Sequence, residues 1–221
     1  PPELAHLAEQ PTIFDADPTL TESGSTFAFE DITVTLTVPG AHNARNAAAA
    51  LTAVKLAGVD VARAAAALAG FQGAGRRFET LGTTATGARV VDDYAHHPTE
   101  VAATIAAART QRPRRVVALF QPHLFSRTVR EAAAFGAALA QADLPVILDI
   151  YPARESPEDY PGVTGLLVAE ATADAGAGKR VVWMPTHADA ERFLRRELRE
   201  GDLLLTMGAG DVDRVGRALV S

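Results

Sequence analysis

The sequence predicts an α/β protein whose main domain is a mostly parallel sheet covered by helices. Three observations carry that prediction. From residue 78 onward, strand-like and helix-like segments alternate. Val116-Val117-Ala118-Leu119-Phe120, Val146-Ile147-Leu148 and Leu203-Leu204-Leu205 are short, nearly continuous apolar runs, as expected of strands buried on both faces. Polar residues with useful chemistry gather just after the strands, where open α/β sheets place ligands.

Residues 1–25 are weakly patterned, punctuated by Pro11, Pro18 and Gly24, and the opening Pro1-Pro2-Glu3 reads like the middle of a longer protein. Residues 26–30 and 32–38 alternate apolar with polar or small side chains, which predicts two half-buried antiparallel strands with a turn near Asp31. Pro39-Gly40 ends the second strand. A helix of strong formers runs on to Leu56, with Asn43 at its N-cap and Gly58 as its stop; Asp60 caps a second helix over 61–69. The glycine-rich joint at 71–75 divides the chain into residues 1–75 and 76–221. Beyond it the pattern predicts strands at 78–82, 87–91, 115–120, 145–149, 181–184 and 202–206. Helices are predicted at 98–109, 127–141, 164–174, 187–199 and 211–219. Pro98 suits a first helical turn, where its missing N–H would have had no partner. Alternation of this kind implies right-handed crossovers and a Rossmann-like domain.

Composition narrows the function. Apolar residues make up 48%, enough for a sizeable core, and the net charge of −6 argues against a general affinity for nucleic acid or anionic membrane. With no cysteine there is no disulfide, thiolate zinc site or cysteine nucleophile. No apolar run reaches transmembrane length and no signal peptide is present, so a cytoplasmic protein is the expectation.

The stretch Val90-Val91-Asp92-Asp93-Tyr94-Ala95-His96-His97-Pro98-Thr99-Glu100 concentrates two carboxylates, a phenol and two imidazoles between a strand end and a helix start. A helix start offers free N–H groups and a partial positive charge to an anion. Three further polar loops follow other strands: residues 121–128, 149–155 and 206–211. Four such loops on one rim mark an active site. Arg127 opens a helix, where its charge opposes the dipole, which points to an anionic ligand. Asp92 and Asp93 are adjacent and would point to opposite faces of a strand, so they are not a shared-proton dyad. Asn43 and Asn46, beside His42, exceed what capping requires; side-chain amides can also read the edge of a planar base. Arg76-Arg77 is either a solvated pair or a guanidinium contact for phosphate or ribose. Gly208-Ala209-Gly210 follows the last strand rather than the first, which argues against hydride transfer. No G-x-x-x-x-G-K-[ST] loop occurs.

Six segments in order carry a resemblance to a known family. They are His42-Asn43-Ala44-Arg45-Asn46, Gly75-Arg76-Arg77-Phe78-Glu79, Asp92-Asp93-Tyr94-Ala95-His96-His97-Pro98-Thr99-Glu100, Phe120-Gln121-Pro122-His123-Leu124-Phe125-Ser126-Arg127-Thr128, Tyr151-Pro152-Ala153-Arg154-Glu155 and Met207-Gly208-Ala209-Gly210-Asp211. Together they resemble the Mur ligases of peptidoglycan synthesis, and within that family the branch that adds L-alanine to UDP-N-acetylmuramate. The resemblance implies that residues 1–75 end a central ATP-binding domain and 76–221 form the Rossmann-like C-terminal domain. A P-loop and a nucleotide-sugar domain would lie upstream, and the isolated chain would be inactive. ATP and Mg2+ are implied as cofactors, with the main Mg2+ ligands upstream and no metal ligand assigned in this chain. Carried over by motif, Asn43 and Asn46 would touch adenine, and Arg77 and Asp93 the phosphate and ribose side of ATP. Tyr94, His96, His123 and Arg127 would shape the amino-acid site, with Arg77, Asp93 and His96 catalytic and Arg127 on the alanine carboxylate. Whether His96 or His97 acts stays open. The alternatives are the related ligase that adds an intact tripeptide to the same nucleotide sugar, and a non-catalytic binding module.

Overall fold

The computed structural model describes residues 16–21, 24–71 and 75–221. The start of the chain and the centre of the glycine-rich joint, residues 72–74, lie outside them. The chain forms two compact units, Pro1–Phe71 and Gln72–Ser221.

In the first unit, β1 (Thr19–Leu20), β2 (Ser25–Phe29) and β3 (Ile32–Leu36) form an antiparallel sheet in that order. β2 and β3 pair with Phe27 opposite Val34, and Glu30, at φ 54°, makes the turn between them. Phe27, Val34 and Leu36 are buried with Ala44, Ala48 and Leu51 of α1 (Ala41–Leu56) and Ala65 of α2 (Val61–Leu68). Asp60 caps α2 as the sequence predicts, accepting from the N–H groups of Ala62 (2.9 Å) and Arg63 (3.2 Å). Asn43 does not cap α1. The helix begins earlier, after Gly40 at φ 101°, and the Asn43 side chain donates back to the Pro39 carbonyl at 2.8 Å. A cap must accept from the helix's free N–H groups, and this amide donates instead.

The second unit holds β4 (Glu79–Thr83), β5 (Arg89–Asp93), β6 (Arg115–Phe120), β7 (Leu144–Ile147), β8 (Val182–Trp183) and β9 (Asp202–Met207). Their order across the sheet is β4-β5-β9-β6-β7-β8; β4 is antiparallel to β5 and every other pairing is parallel. The helices are α3 (Pro98–Thr110), α4 (Phe125–Leu139), α5 (Leu166–Ala175), α6 (His187–Glu197) and α7 (Asp213–Val220). Successive strand residues alternate between two cores. Val91, Val116, Ala118, Leu203 and Leu205 pack with α3, α4 and α5. Val90, Val117, Leu119 and Leu204 pack with α6 and α7. Both faces are covered, which is why these strands read as unbroken apolar runs.

Two boundaries differ from the sequence prediction in ways that matter. β5 runs to Asp93 because its ladder with β9 continues to Asp93 opposite Met207, so both aspartates are strand residues. α4 starts at Phe125, which makes Arg127 its third residue.

Candidate functional site

Because β5, β9, β6 and β7 are mutually parallel, their C-terminal loops share one rim. Backbone hydrogen bonds stitch those loops together. Gly208 N–H donates to Asp93 O (3.2 Å), Gln121 N–H to Met207 O (3.0 Å), Tyr151 N–H to Pro122 O (2.8 Å) and Leu124 N–H to Tyr151 O (3.0 Å). α3, following β5, and α7, following β9, cover opposite faces of the sheet. That change of side between neighbouring strands opens a crevice at their carboxyl ends, where ligands of such sheets bind.

Four rings line this rim in sequence. Tyr94 and His96 meet edge to face at 5.2 Å, His96 and His123 at 6.1 Å, and His123 stacks on Tyr151 at 5.8 Å. His96 Nδ1 lies 2.9 Å from the Tyr94 carbonyl, which can only accept. In the neutral ring Nδ1 therefore carries the proton and Nε2 keeps a free lone pair. His97 is used differently: its ring accepts from Thr99 N–H and caps α3, while Glu100 reaches back to the N–H groups of His96 (2.9 Å) and His97 (3.2 Å). Burial, then the nearby Arg127 and His96, push the His123 imidazole pKa down, so its neutral form prevails.

Arg127 projects from the first turn of α4 and donates to the His96 carbonyl at 3.3 Å, joining the loops after β6 and β5. Beside it, both oxygens of Glu155 accept from Ser126, one from its N–H (3.0 Å) and one from its hydroxyl. Glu155 thereby brings a negative charge to the first turn of α4, which has no acidic residue of its own.

Arg76 ties the rim from the other side. Its guanidinium donates to Asp92 Oδ2, Gly210 O and Gly208 O, each at 2.8 Å. Asp92 is fully buried and also accepts from Thr206 Oγ1 at 2.6 Å. Burial raises its pKa, and the bonds from Arg76 and Thr206 oppose the rise. Asp93 points to the opposite face, as adjacent strand residues must. Its oxygens accept from Phe78 N–H (2.9 Å) and Ala95 N–H (2.8 Å), and burial pushes its pKa up to about 6 despite those bonds. Arg77 lies over Tyr94 with its guanidinium carbon 5.4 Å from the ring centre, within cation–π range. Its ion partner Glu100 is 4.0 Å away, and nearly half of its side chain is exposed.

The rim therefore gathers Arg77, Tyr94, His96, His123 and Arg127, and places Asp93 beneath them as a buried anchor. Asn43 and Asn46 belong to the first unit, in the opening turns of α1, with Asn46 exposed. Arg76, read from sequence as a solvated arginine or a contact for phosphate or ribose, is instead spent on Asp92 and the 208–210 backbone, and sequence reasoning gave no role to Gln121 or Glu155. Gln121 is buried and donates to Asp211 Oδ1 at 3.1 Å. The available signal was Asp92 itself, a charge on a strand covered on both faces, which must find a partner.

Residues 76–210 match the family described as "Mur ligase, glutamate ligase domain". The chain is 51% identical over 186 residues to the UDP-N-acetylmuramate–L-alanine ligase of Renibacterium salmoninarum, covering 84% of this chain and 38% of that protein. It is 55% identical over 182 residues to the ligase of the same name from Kineococcus radiotolerans, covering 82% of this chain and 38% of that protein. Among solved structures it resembles the UDP-N-acetylmuramate-alanine ligase of Thermotoga maritima (TM-score 0.76, 25% identity, 99% of this chain and 49% of that one). It also resembles a murein peptide ligase from Psychrobacter arcticus (TM-score 0.66, 25% identity, 93% and 43%). The chain spans less than two-fifths of the length of these two curated relatives. The family match extends over most of the second unit and more than half of the chain, and on that ground the chain belongs to the Mur ligase family.

Proposed function

We propose that this chain is the C-terminal part of an ATP-dependent ligase that joins L-alanine to UDP-N-acetylmuramate. Residues 1–75 would end its central ATP-binding domain and residues 76–221 would form its C-terminal domain. The observation that carries the reading is the meeting of Tyr94, His96, His123 and Arg127 on one rim. Such a rim offers an amino acid a cation for its carboxylate and a neutral imidazole for its amine.

In the proposed reaction, ATP phosphorylates the muramoyl carboxylate. The alanine amine attacks the acyl phosphate, and the tetrahedral intermediate expels phosphate. Arg127 holds the alanine carboxylate, since a planar guanidinium matches it with two parallel bonds. The free lone pair on His96 Nε2 takes the proton that the attacking amine sheds. Tyr94 and His123 wall the amino-acid site. Arg77 has donors to spare for the nucleotide's phosphate and ribose side, and Asp93 fixes the backbone at Phe78, next to it. Asn43 and Asn46 read adenine. The P-loop and the nucleotide-sugar domain are assigned to sequence upstream of Pro1. We assign the main Mg2+ ligands upstream as well and route no step through them.

The test is Arg127→Ala in the full-length ligase. The expected result is a Michaelis constant for L-alanine raised about 100-fold, the loss of a bidentate charge-assisted contact. An unchanged constant removes the assignment. The likeness to a murein peptide ligase supports a second reading, transfer of a tripeptide. Turnover with tripeptide and none with L-alanine would establish it instead.

A further inference from the structure

The first turn of α4 is held in place from outside. Its N-cap residue, Leu124, has no polar side chain to offer the free N–H groups, and sits at φ 71°, ψ 133° while buried. A branched side chain avoids that conformation, which costs of the order of 1–3 kcal/mol and persists only where surrounding contacts impose it. Contacts from outside the helix come from the loop after β7. Leu124 N–H donates to Tyr151 O at 3.0 Å, and Tyr151 N–H to Pro122 O at 2.8 Å. A turn closed by Glu155 N–H to Pro152 O (3.0 Å), with Ala153 at φ 52°, then brings the Glu155 carboxylate onto Ser126. On the helix side, Thr128 N–H (3.0 Å) and Oγ1 (2.8 Å) donate to Leu124 O. The Ser126 hydroxyl holds the Glu155 carboxyl below the usual carboxylate range, so it is an anion at neutral pH. There it takes the place of the missing cap and sets a negative charge at the helix start, where the dipole favours one.

We propose that Glu155 is a positioning residue for the amino-acid substrate, clamping Ser126 so that Arg127, the next residue, is aimed at the substrate carboxylate. This rests on the reading of Arg127 given above. Glu155 itself stays on Ser126 and off the substrate. Without it the first turn of α4 can relax the strain at Leu124, and the Arg127 guanidinium, at the end of a long side chain, loses its bearing. The effect falls on the amino acid and leaves the nucleotide side of the rim, anchored by Arg76 and Asp93, as it was.

The experiment measures steady-state kinetics of the full-length ligase for each substrate, with melting temperature as a control. Glu155→Ala is expected to raise the Michaelis constant for L-alanine about tenfold, a loss of aim rather than of the contact itself. Turnover and the constants for ATP and UDP-N-acetylmuramate stay within about twofold. Glu155→Gln, which keeps an acceptor for Ser126 N–H, and Ser126→Ala, which removes only the hydroxyl bond, are each expected to give about a threefold rise. Both serve if Glu155→Ala folds poorly. The double variant Glu155→Ala/Arg127→Ala should match Arg127→Ala alone, because Glu155 acts through Arg127. If Arg127→Ala raises the alanine constant and the three clamp variants do not, the clamp is wrong and the Arg127 reading stands. If Arg127→Ala raises nothing, the Arg127 reading falls and the clamp with it. Losses spread evenly over all substrates and the melting temperature would mark Glu155 as an ordinary structural residue and overturn the proposal.

Discussion

Replacing Arg76 by alanine tests whether the rim is held by one buried cation. The change deletes three side-chain hydrogen bonds of 2.8 Å and leaves Asp92, fully buried, with Thr206 as its remaining side-chain partner. Breaking a buried ion pair from one side costs about 3–5 kcal/mol, because the other charge is stranded. Arg76 is 22% exposed at the side chain, which places the expectation at the lower end, about 3 kcal/mol. In a unit of this size that lowers the melting temperature by about 6–12 °C. The loss should also depend on pH. Burial already raises the Asp92 pKa, and Arg76 opposes the rise, so removing Arg76 raises it further. A carboxyl with a raised folded pKa contributes its full stability below its unfolded pKa and loses it as pH climbs through the folded one. The deficit of Arg76→Ala should therefore be larger at pH 7.5 than at pH 5. Adding Asp92→Asn, which removes the stranded charge, should recover part of it. Trp183, the single tryptophan, lies in β8 of the second unit, so urea titration followed by its fluorescence reads the right unit. A deficit below about 1 kcal/mol, or one that does not change with pH, would refute the reasoning.

Three further outcomes are expected. Asp93 has a pKa of about 6 against 3.8, a difference worth roughly 3 kcal/mol at neutral pH. Its stabilisation is whole below about pH 4 and is lost as pH rises through about 6. Wild type should therefore lose stability relative to Asp93→Asn across that window, and a constant difference in urea midpoints would contradict it. Gly136→Ala would set a Cβ 2.5 Å from the Ala171 carbonyl carbon and oxygen, forcing α4 and α5 apart at about 1–3 kcal/mol; an unchanged melting temperature would show the helices have room. Asn46→Ala in the full-length ligase should weaken ATP binding by calorimetry, and equal affinity would remove the adenine assignment.

Most of the architecture was legible in residues 78–221 because parallel strands covered on both faces leave an unmistakable apolar signature. Pro98 and Asp60 marked their helix starts for local reasons, a missing donor in one and a competent acceptor in the other. Where local logic admitted two answers, the sequence reading failed. Asn43 could cap or reach backward, and Gly40 at φ 101° decided for the latter. The sequence pattern ends β5 at residue 91, before its aspartates; pairing with β9 carries it two residues further.

By itself, then, the sequence determined the α/β class, the alternation of elements and the residues from which a site could be made, since each depends on neighbours a few positions apart. Tertiary structure alone decided that the last strand enters between β5 and β6. That placement sets the 208–211 loop beside Asp93 and Gln121 and within reach of Arg76, while the pairing of β6 with β7 puts Glu155 on Ser126. The physical reason is that these contacts join residues far apart in the chain, whose pairing is chosen by how well whole surfaces pack rather than by any local preference.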